Sequence, residues 1–312
     1  MKTIASIPKH RLPQTLLLLL AAMLWTACEN PNFGNPEKAT EEVIKGATAR
    51  FLIDALERMP LEGEEAEGTV SGDTIDQVCT RVDYAFYSPE GSMVKAFHRE
   101  KAKNRLNELA VDLPEGTYRM VAIAHSGQGA PTLSAADKIK FKDNKVTETF
   151  LTCQDFSLEK DATYALKLRD AVSLIRLKVT NAMPAGVRQM KFYYTGGSST
   201  LDATTGLGCV QSRQTEFRTV TEVAAEHATT YDIYTFPHAS TDEIKLIAWA
   251  IDASGTALYE KAFERIPVSI NRMTVIETPF FTTPETAGDD PGGGLTFVLD
   301  TKPATPVADR SY

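Results

Sequence analysis

From Ile75 onward the apolar residues recur at every second position in short runs, and that spacing belongs to strands that bury one face. DQVCTRVDYAFYS places Val78, Val82, Tyr84 and Phe86 in this alternation. The tetrapeptide SPEG (88–91) follows, with Pro89 suited to the second position of a turn and Gly91 to its end. MVKAFHRE then returns, so the pattern predicts a hairpin. LAVDL, TYRMVAIAHS, KIKFKD, KVTETFLT and QDFSLEKDATYALKL continue the series with little helix between them. Short strands spaced by about eight to twelve residues predict an all-β sandwich.

The remainder repeats this organisation. DAVSLIRLKVTNAMP mixes continuous and alternating apolar positions, as a strand in the middle of a sheet does. QMKFYYTG, FRTVTEVA, TTYDIYTFPH, EIKLIAWAIDASG, ALYEKAFERIPVSI and NRMTVIETPFF are further strands, and GGSSTLDATTGLG (196–208) reads as a loop. LPEGTYRMVAIAHS (113–126) and STDEIKLIAWAID (240–252) both set a polar turn before a strand climbing into aliphatic residues, a weak internal repeat. The expected organisation is therefore two tandem sandwiches, residues 75–168 and 169–281.

The N-terminal residues say where such a protein is held. Lys2, Lys9 and Arg11 precede an apolar run from Leu16 to Trp25, the length of a secretory signal and too short to span a bilayer. Thr26 and Ala27 then lead directly to Cys28. Small residues before a cysteine mark a lipoprotein signal, so residues 1–27 are expected to be removed and Cys28 acylated; an ordinary cleaved signal is the other reading. Each buried methylene contributes about 0.8 kcal/mol, so two or three chains anchor stably where one does not. No later run approaches the length of a transmembrane helix.

Residues 28–74 are expected to form a linker with one amphipathic helix. Val43, Ile44, Ala47, Phe51, Ala55, Leu56 and Met59 recur at helical spacing over 37–59, opposite a charged face, and Pro60 would end the helix. LEGEEAEGTVSGDT (61–74) is acidic and reads as a connector. Residues 282–312 begin with a Pro-, Gly- and acid-rich spacer and contain the β-prone LTFVLD (295–300). Either the tail does not pack, or this segment is a strand able to add to an open sheet edge, its own or a neighbour's.

Charge and motif content narrow the function classes. The formal charge is −8, and loss of Lys2, Lys9 and Arg11 leaves −11 on a mature chain of 285 residues. Such a polyanion is a poor nucleic-acid binder, and no nucleic-acid partner is expected. Three cysteines remain, Cys79, Cys153 and Cys209. Cys79 and Cys153 bracket the first β-rich region; two buried free thiols are the favoured reading, and a Cys79–Cys153 disulfide is the alternative. The five histidines have no ligand spacing and no Cys-x-x-Cys occurs, so no metal and no cofactor are expected. Nucleophile-elbow, Walker and His-Glu-x-x-His motifs are absent, and the expectation is a protein that is not an enzyme. Tyr193 and Tyr194 are adjacent, so one must face outward, whereas Trp249 is expected in the core.

Three stretches carry a family likeness: DLPEGTYRMVAIAHSG (112–127), DAVSLIRLKVTNAMPAGVRQMKFYYTG (170–196) and IPVSINRMTVIETPFF (266–281). With the lipoprotein signal and the tandem β regions, they resemble the fimbrillin superfamily of Bacteroidales pili, and within it the FimB-like anchor lipoproteins. The likeness covers roughly residues 70–281. The resemblance implies transthyretin-like Greek-key sandwiches and display at the cell outer membrane through the lipid on Cys28. It also implies partner subunits of the same fimbrium joined by strand exchange, in support of adhesion. Arg50 and Arg58 would by analogy be protease sites. The competing reading is a surface lipoprotein that binds glycan or host protein outside any fibre, for which an exposed aromatic platform would be needed.

Overall fold

Alternating apolar side chains are buried only when their strand lies against a second layer, and this chain makes that arrangement twice. The computed structural model describes residues 46–58, 74–220, 229–282 and 297–299. The first half contains β1 (Gly46–Glu57), a one-turn helix α1 (Ile75–Val78), β2 (Arg81–Tyr87), β3 (Met93–Glu100), β4 (Glu108–Pro114), β5 (Gly116–His125), β6 (Ile139–Lys140), β7 (Thr149–Leu158) and β8 (Ala162–Asp170). Seven of these strands form one sheet in the order β3-β2-β5-β7-β8-β1-β4. At its middle, β7 and β8 share only the pairs Phe150–Asp170 and Leu151–Arg169. The sheet folds over at this narrow joint, and its two arms enclose one core. Phe51 lies at the centre of that core, its ring 5.2–5.3 Å from those of Phe86, Phe156 and Tyr164.

β1 replaces the helix expected over 37–59. It pairs antiparallel with β4 and parallel with β8. The spacing that suggested a helix, Ala47–Phe51–Ala55, steps by four, and a step of four also returns to the same face of a strand. The intermediate positions decide between the two. Ala49 and Ile53 are buried with Ala47 and Phe51, whereas Arg50, Leu52 and Asp54 face out. A register shift between Ile53 and Ala55 then turns Leu56 inward. Two partner strands satisfy the backbone on both sides, which an isolated amphipathic pattern cannot reveal. Residues 37–45 and the connector 61–73 lie outside the described residues.

The second half contains β9 (Ser173–Val179), β10 (Gln189–Thr195), β11 (Thr200–Asp202), β12 (Leu207–Gly208), β13 (Arg213–Thr219), β14 (Thr229–Thr235), β15 (Thr241–Ile251), β16 (Ala257–Ser269), β17 (Arg272–Thr278) and β18 (Phe297–Leu299). Sheets β13-β10-β15-β16 and β14-β9-β17-β18 face each other. Between them lies a core that includes Ile175, Phe192, Tyr194, Tyr231, Phe263, Ile266 and Phe280. The chain crosses between the layers at β9–β10, β13–β14, β14–β15 and β16–β17, as in Greek-key sandwiches. The fold is all-β.

An apolar seam joins the halves. The outer face of the first sheet, with Ala85, Tyr87, Val121 and Ile123, packs with Ile139 and Phe141 and with Val172, Leu201 and Phe236 of the second half. β11 and β12, within the stretch expected to be a loop, form a small sheet with β6 in the order β12-β11-β6. Gly208 is needed here: a Cβ would come within 2.7 Å of the Phe236 carbonyl oxygen and 2.4 Å of the Ser198 Cβ.

Candidate functional site

A sheet protein offers partners its edges and its outer faces, and the β17 edge is the most developed of these. β17 leaves β16 through the turn Ile270–Asn271, with Asn271 at φ 54°, and crosses to the opposite layer. Its register runs parallel along β9, from Arg272 beside Ser173 to Thr278 beside Val179. Thr274 Oγ1 donates to the Pro267 carbonyl at 2.5 Å, and Ile276 is fully buried, so the strand's inner face is fixed. Beyond β17, Phe280 enters the core and Phe281 is clasped by Asn181. The Asn181 amide donates to the Phe281 carbonyl (3.0 Å), and Phe281 N–H donates back to Asn181 Oδ1 (3.3 Å). Lys261 Nζ donates to Thr278 Oγ1 and the Pro279 carbonyl, both at 2.8 Å.

The departure point of the tail is thus held firmly. The tail then returns: β18 lies antiparallel on β17, with Leu299, Val298 and Phe297 opposite Thr274, Val275 and Ile276. Of the two readings of LTFVLD, the β-paired one describes residues 297–299; the remainder of 283–312 lies outside the described residues. β18 pairs with three of the seven residues of β17, so Arg272, Met273, Glu277 and Thr278 have no partner on that side among the described residues.

Titratable groups gather at three places. Asp83 is fully buried, yet each of its oxygens is held: Oδ1 by His98 Nδ1 at 2.6 Å and Oδ2 by His125 Nε2 at 2.9 Å. Gly127 N–H donates to His125 Nδ1, so the ring's proton sits on Nε2 and points to Asp83. Burial would raise the Asp83 carboxyl; the hydrogen bond from His125, that from His98 and the Arg81 guanidinium outweigh it and hold it below its ordinary value. In the second half, the buried Tyr194 hydroxyl donates to Glu216 Oε1 at 2.7 Å, and Arg218 binds the other oxygen. Burial and then the Glu216 charge push that hydroxyl well up. Arg58–Glu148 and Arg176–Asp232 line a cavity of about 170 Å³ between the halves. That is below the usual size of a small-molecule site, about 300–1,000 Å³.

The sequence-based candidates fall as follows. Cys28 lies outside the described residues. Cys79 and Cys153 are not bridged: Cys79 packs in the core between the arms, Cys153 beside the seam, and both are free thiols with Cys209. They sit on opposite faces of the sheet, which proximity to the ends of a β region does not reveal. Burial raises the Cys79 and Cys153 thiols. Among the described residues, no group of three or more His, Cys, Asp or Glu has metal-binding geometry. His98 and His125, scattered in the sequence, meet on Asp83 because β3, β2 and β5 are neighbours. Trp249 is not in the core. Its indole lies on the outer face of β15 under Lys191 Nζ, 4.7 Å from the ring centroid. Tyr193 is outward and Tyr194 inward, and Phe217 opposite Lys191 is 50% exposed.

Solved structures with a similar course include a putative adhesin from Bacteroides ovatus (14% identity, 76% of this chain and 88% of that one, TM-score 0.47). They also include the fimbrial anchor protein Mfa2 from Porphyromonas gingivalis (13%, 81% and 94%, 0.40) and a fimbrial assembly protein from Parabacteroides distasonis (11%, 75% and 90%, 0.36). No curated protein matches the sequence. The family model for fimbrillin-A associated anchor proteins Mfa1 and Mfa2 matches residues 65–262, well over half of the chain. The chain belongs to this family of fimbrial anchor proteins and is a fimbria-associated protein.

Proposed function

We propose that the protein is a non-catalytic accessory or anchor subunit of a fimbrium, held at the outer membrane by lipid on Cys28. It joins partner subunits by exchange of β strands and so supports adhesion. The observation that carries the reading is β18. Among the described residues, a three-residue strand on a tail that leaves at the pinned Phe280–Phe281 pairs with less than half of the β17 edge. A longer strand from a partner would pair with more of that edge, and β18 itself could pair with a partner's.

Locking β18 tests this. Val275 and Val298 are directly opposite, so Val275→Cys with Val298→Cys can cross-link tail to body under oxidation. The locked chain is expected to drop out of fimbriae and to return on reduction, while each single cysteine behaves as wild type. Incorporation of the locked chain at the wild-type level would overturn strand exchange. For the anchor, Cys28→Ala should release the protein from the membrane fraction; retention at an unchanged level would overturn lipid attachment.

A second reading, glycan or host-protein binding, is favoured by one observation. Phe217, Tyr193 and Trp249 share the outer face of β13, β10 and β15, an aromatic surface of the kind that stacks on sugar rings. Phe217→Ala combined with Trp249→Ala should abolish binding to a glycan array if this face is used, and unchanged binding would remove the reading.

A further inference from the structure

We propose that β3 is a second docking edge, separate from β17, that takes an acidic extended segment of another protein as an added strand. β3 ends the seven-stranded sheet and among the described residues pairs only with β2, so the backbone groups on its other side have no described strand partner. Met93 and Val94 at its start are 46% and 45% exposed. They are among the few large apolar side chains left open to solvent in the described residues.

The charge of this edge runs against that of the molecule. Between Met93 and Arg105 the chain carries Lys95, Arg99, Lys101, Lys103 and Arg105 against one acid, Glu100, in a protein of net charge −8. Several described bases elsewhere meet carboxylates, as in Arg119–Asp155, Arg176–Asp232 and Arg265–Glu243. Here they are held on neutral acceptors. Lys95 Nζ donates to the Asp112 carbonyl at 3.1 Å, Lys101 Nζ to the Asp76 carbonyl at 2.5 Å, and Arg99 to Asn104 Oδ1 at 2.9 Å. None of the three forms an ion pair with a described carboxylate, and Glu100 is shared between Arg81 and Lys103. The positive charge of Lys95, Arg99 and Lys101 is therefore positioned, with no ion-paired carboxylate among the described residues.

Position and charge together define the occupant. Lysines on an open edge discourage pairing with another copy of the same strand, since two β3 strands side by side would set base against base. An acidic strand meets the opposite condition, gaining cross-strand ion pairs along with the ladder. Its apolar residues would cover Met93 and Val94. The open backbone and the apolar pair favour a polypeptide over an anionic polysaccharide, which can use only the charge.

The test uses the full chain and a fluorescein-labelled peptide of alternating valine and glutamate, roughly ten to twelve residues long so that it exceeds a typical strand. Anisotropy should report binding that weakens with salt and falls about tenfold or more, roughly 1.4 kcal/mol, for Lys95→Glu/Arg99→Glu/Lys101→Glu. Two further peptides carry N-methyl groups on alternate amides, one series for each edge. Strand addition requires that one of them lose binding while the other retains it. This arm needs no protein variant, so the proposal stays testable if the triple variant does not fold. Absence of binding, equal binding of both methylated peptides and the parent, or binding of heparin in place of the peptide would each overturn it.

Discussion

β1 and β18 are both strands contributed from segments flanked by acidic or Gly-rich chain, and they differ in what holds them. β1 has twelve residues, partners on both sides and Phe51 in the middle of an aromatic cluster. β18, among the described residues, has three residues and one partner. A strand paired on both sides leaves only with its sheet's core, whereas a short edge strand leaves at the loss of a few ladder bonds. Within one molecule, therefore, one inserted strand is part of the body and the other rests on a single short ladder among the described residues.

Four measurements would break or sharpen this contrast. The largest effect is expected for Phe51→Ala, which leaves a cavity among Phe86, Phe156 and Tyr164 and should cost about 3–5 kcal/mol by denaturant unfolding. A cost under about 1 kcal/mol would place β1 in the same class as β18. Next is Asp83→Asn, which weakens the group tying β3 to β2 and β5 and should cost about 2–3 kcal/mol at neutral pH. Because the folded carboxyl is held below its ordinary value, its contribution is complete above about pH 4 and is lost as pH falls through the lowered value. Acid titration of stability should accordingly be shallower in Asp83→Asn than in wild type in that range.

Tyr194→Phe removes the hydroxyl that meets Glu216 beneath β10 and should cost about 1–2 kcal/mol, measured in the same way. It gauges how firmly the half that carries β18 is built. The smallest effect is expected from deleting residues 297–312, about 1 kcal/mol or less, because among the described residues three cross-strand pairs are lost. A thermal midpoint lowered as far as in Phe51→Ala would mean that β18 belongs to the body, and the exchange proposal would lose its basis.

Much of the β pattern was legible. The hairpin of β2 and β3 around Ser88–Ser92 follows from alternation and turn chemistry alone, with Gly91 at φ 87° and its N–H on the Ser88 carbonyl. β1 was misread because apolar residues four apart suit a helix and a strand equally. Trp249 was misplaced because Ile247 and Trp249 alternate with Leu246, Ala248 and Ala250, and both rows are apolar. With both faces of β15 apolar, composition does not say which row meets the core. The Asp83 group depended on the register of three strands, and the open β3 edge on which strands found no second neighbour.

What the sequence determined by itself is the class of structure and its family: period-two runs closed by turns require a sheet that buries one face, and their order carries the fimbrial-anchor likeness. The tertiary structure decided which strands became neighbours, which edges stayed open, and which side of each strand met the core. Those properties arise from pairing, since an edge is defined by the absence of a partner. No single strand's residues can specify it.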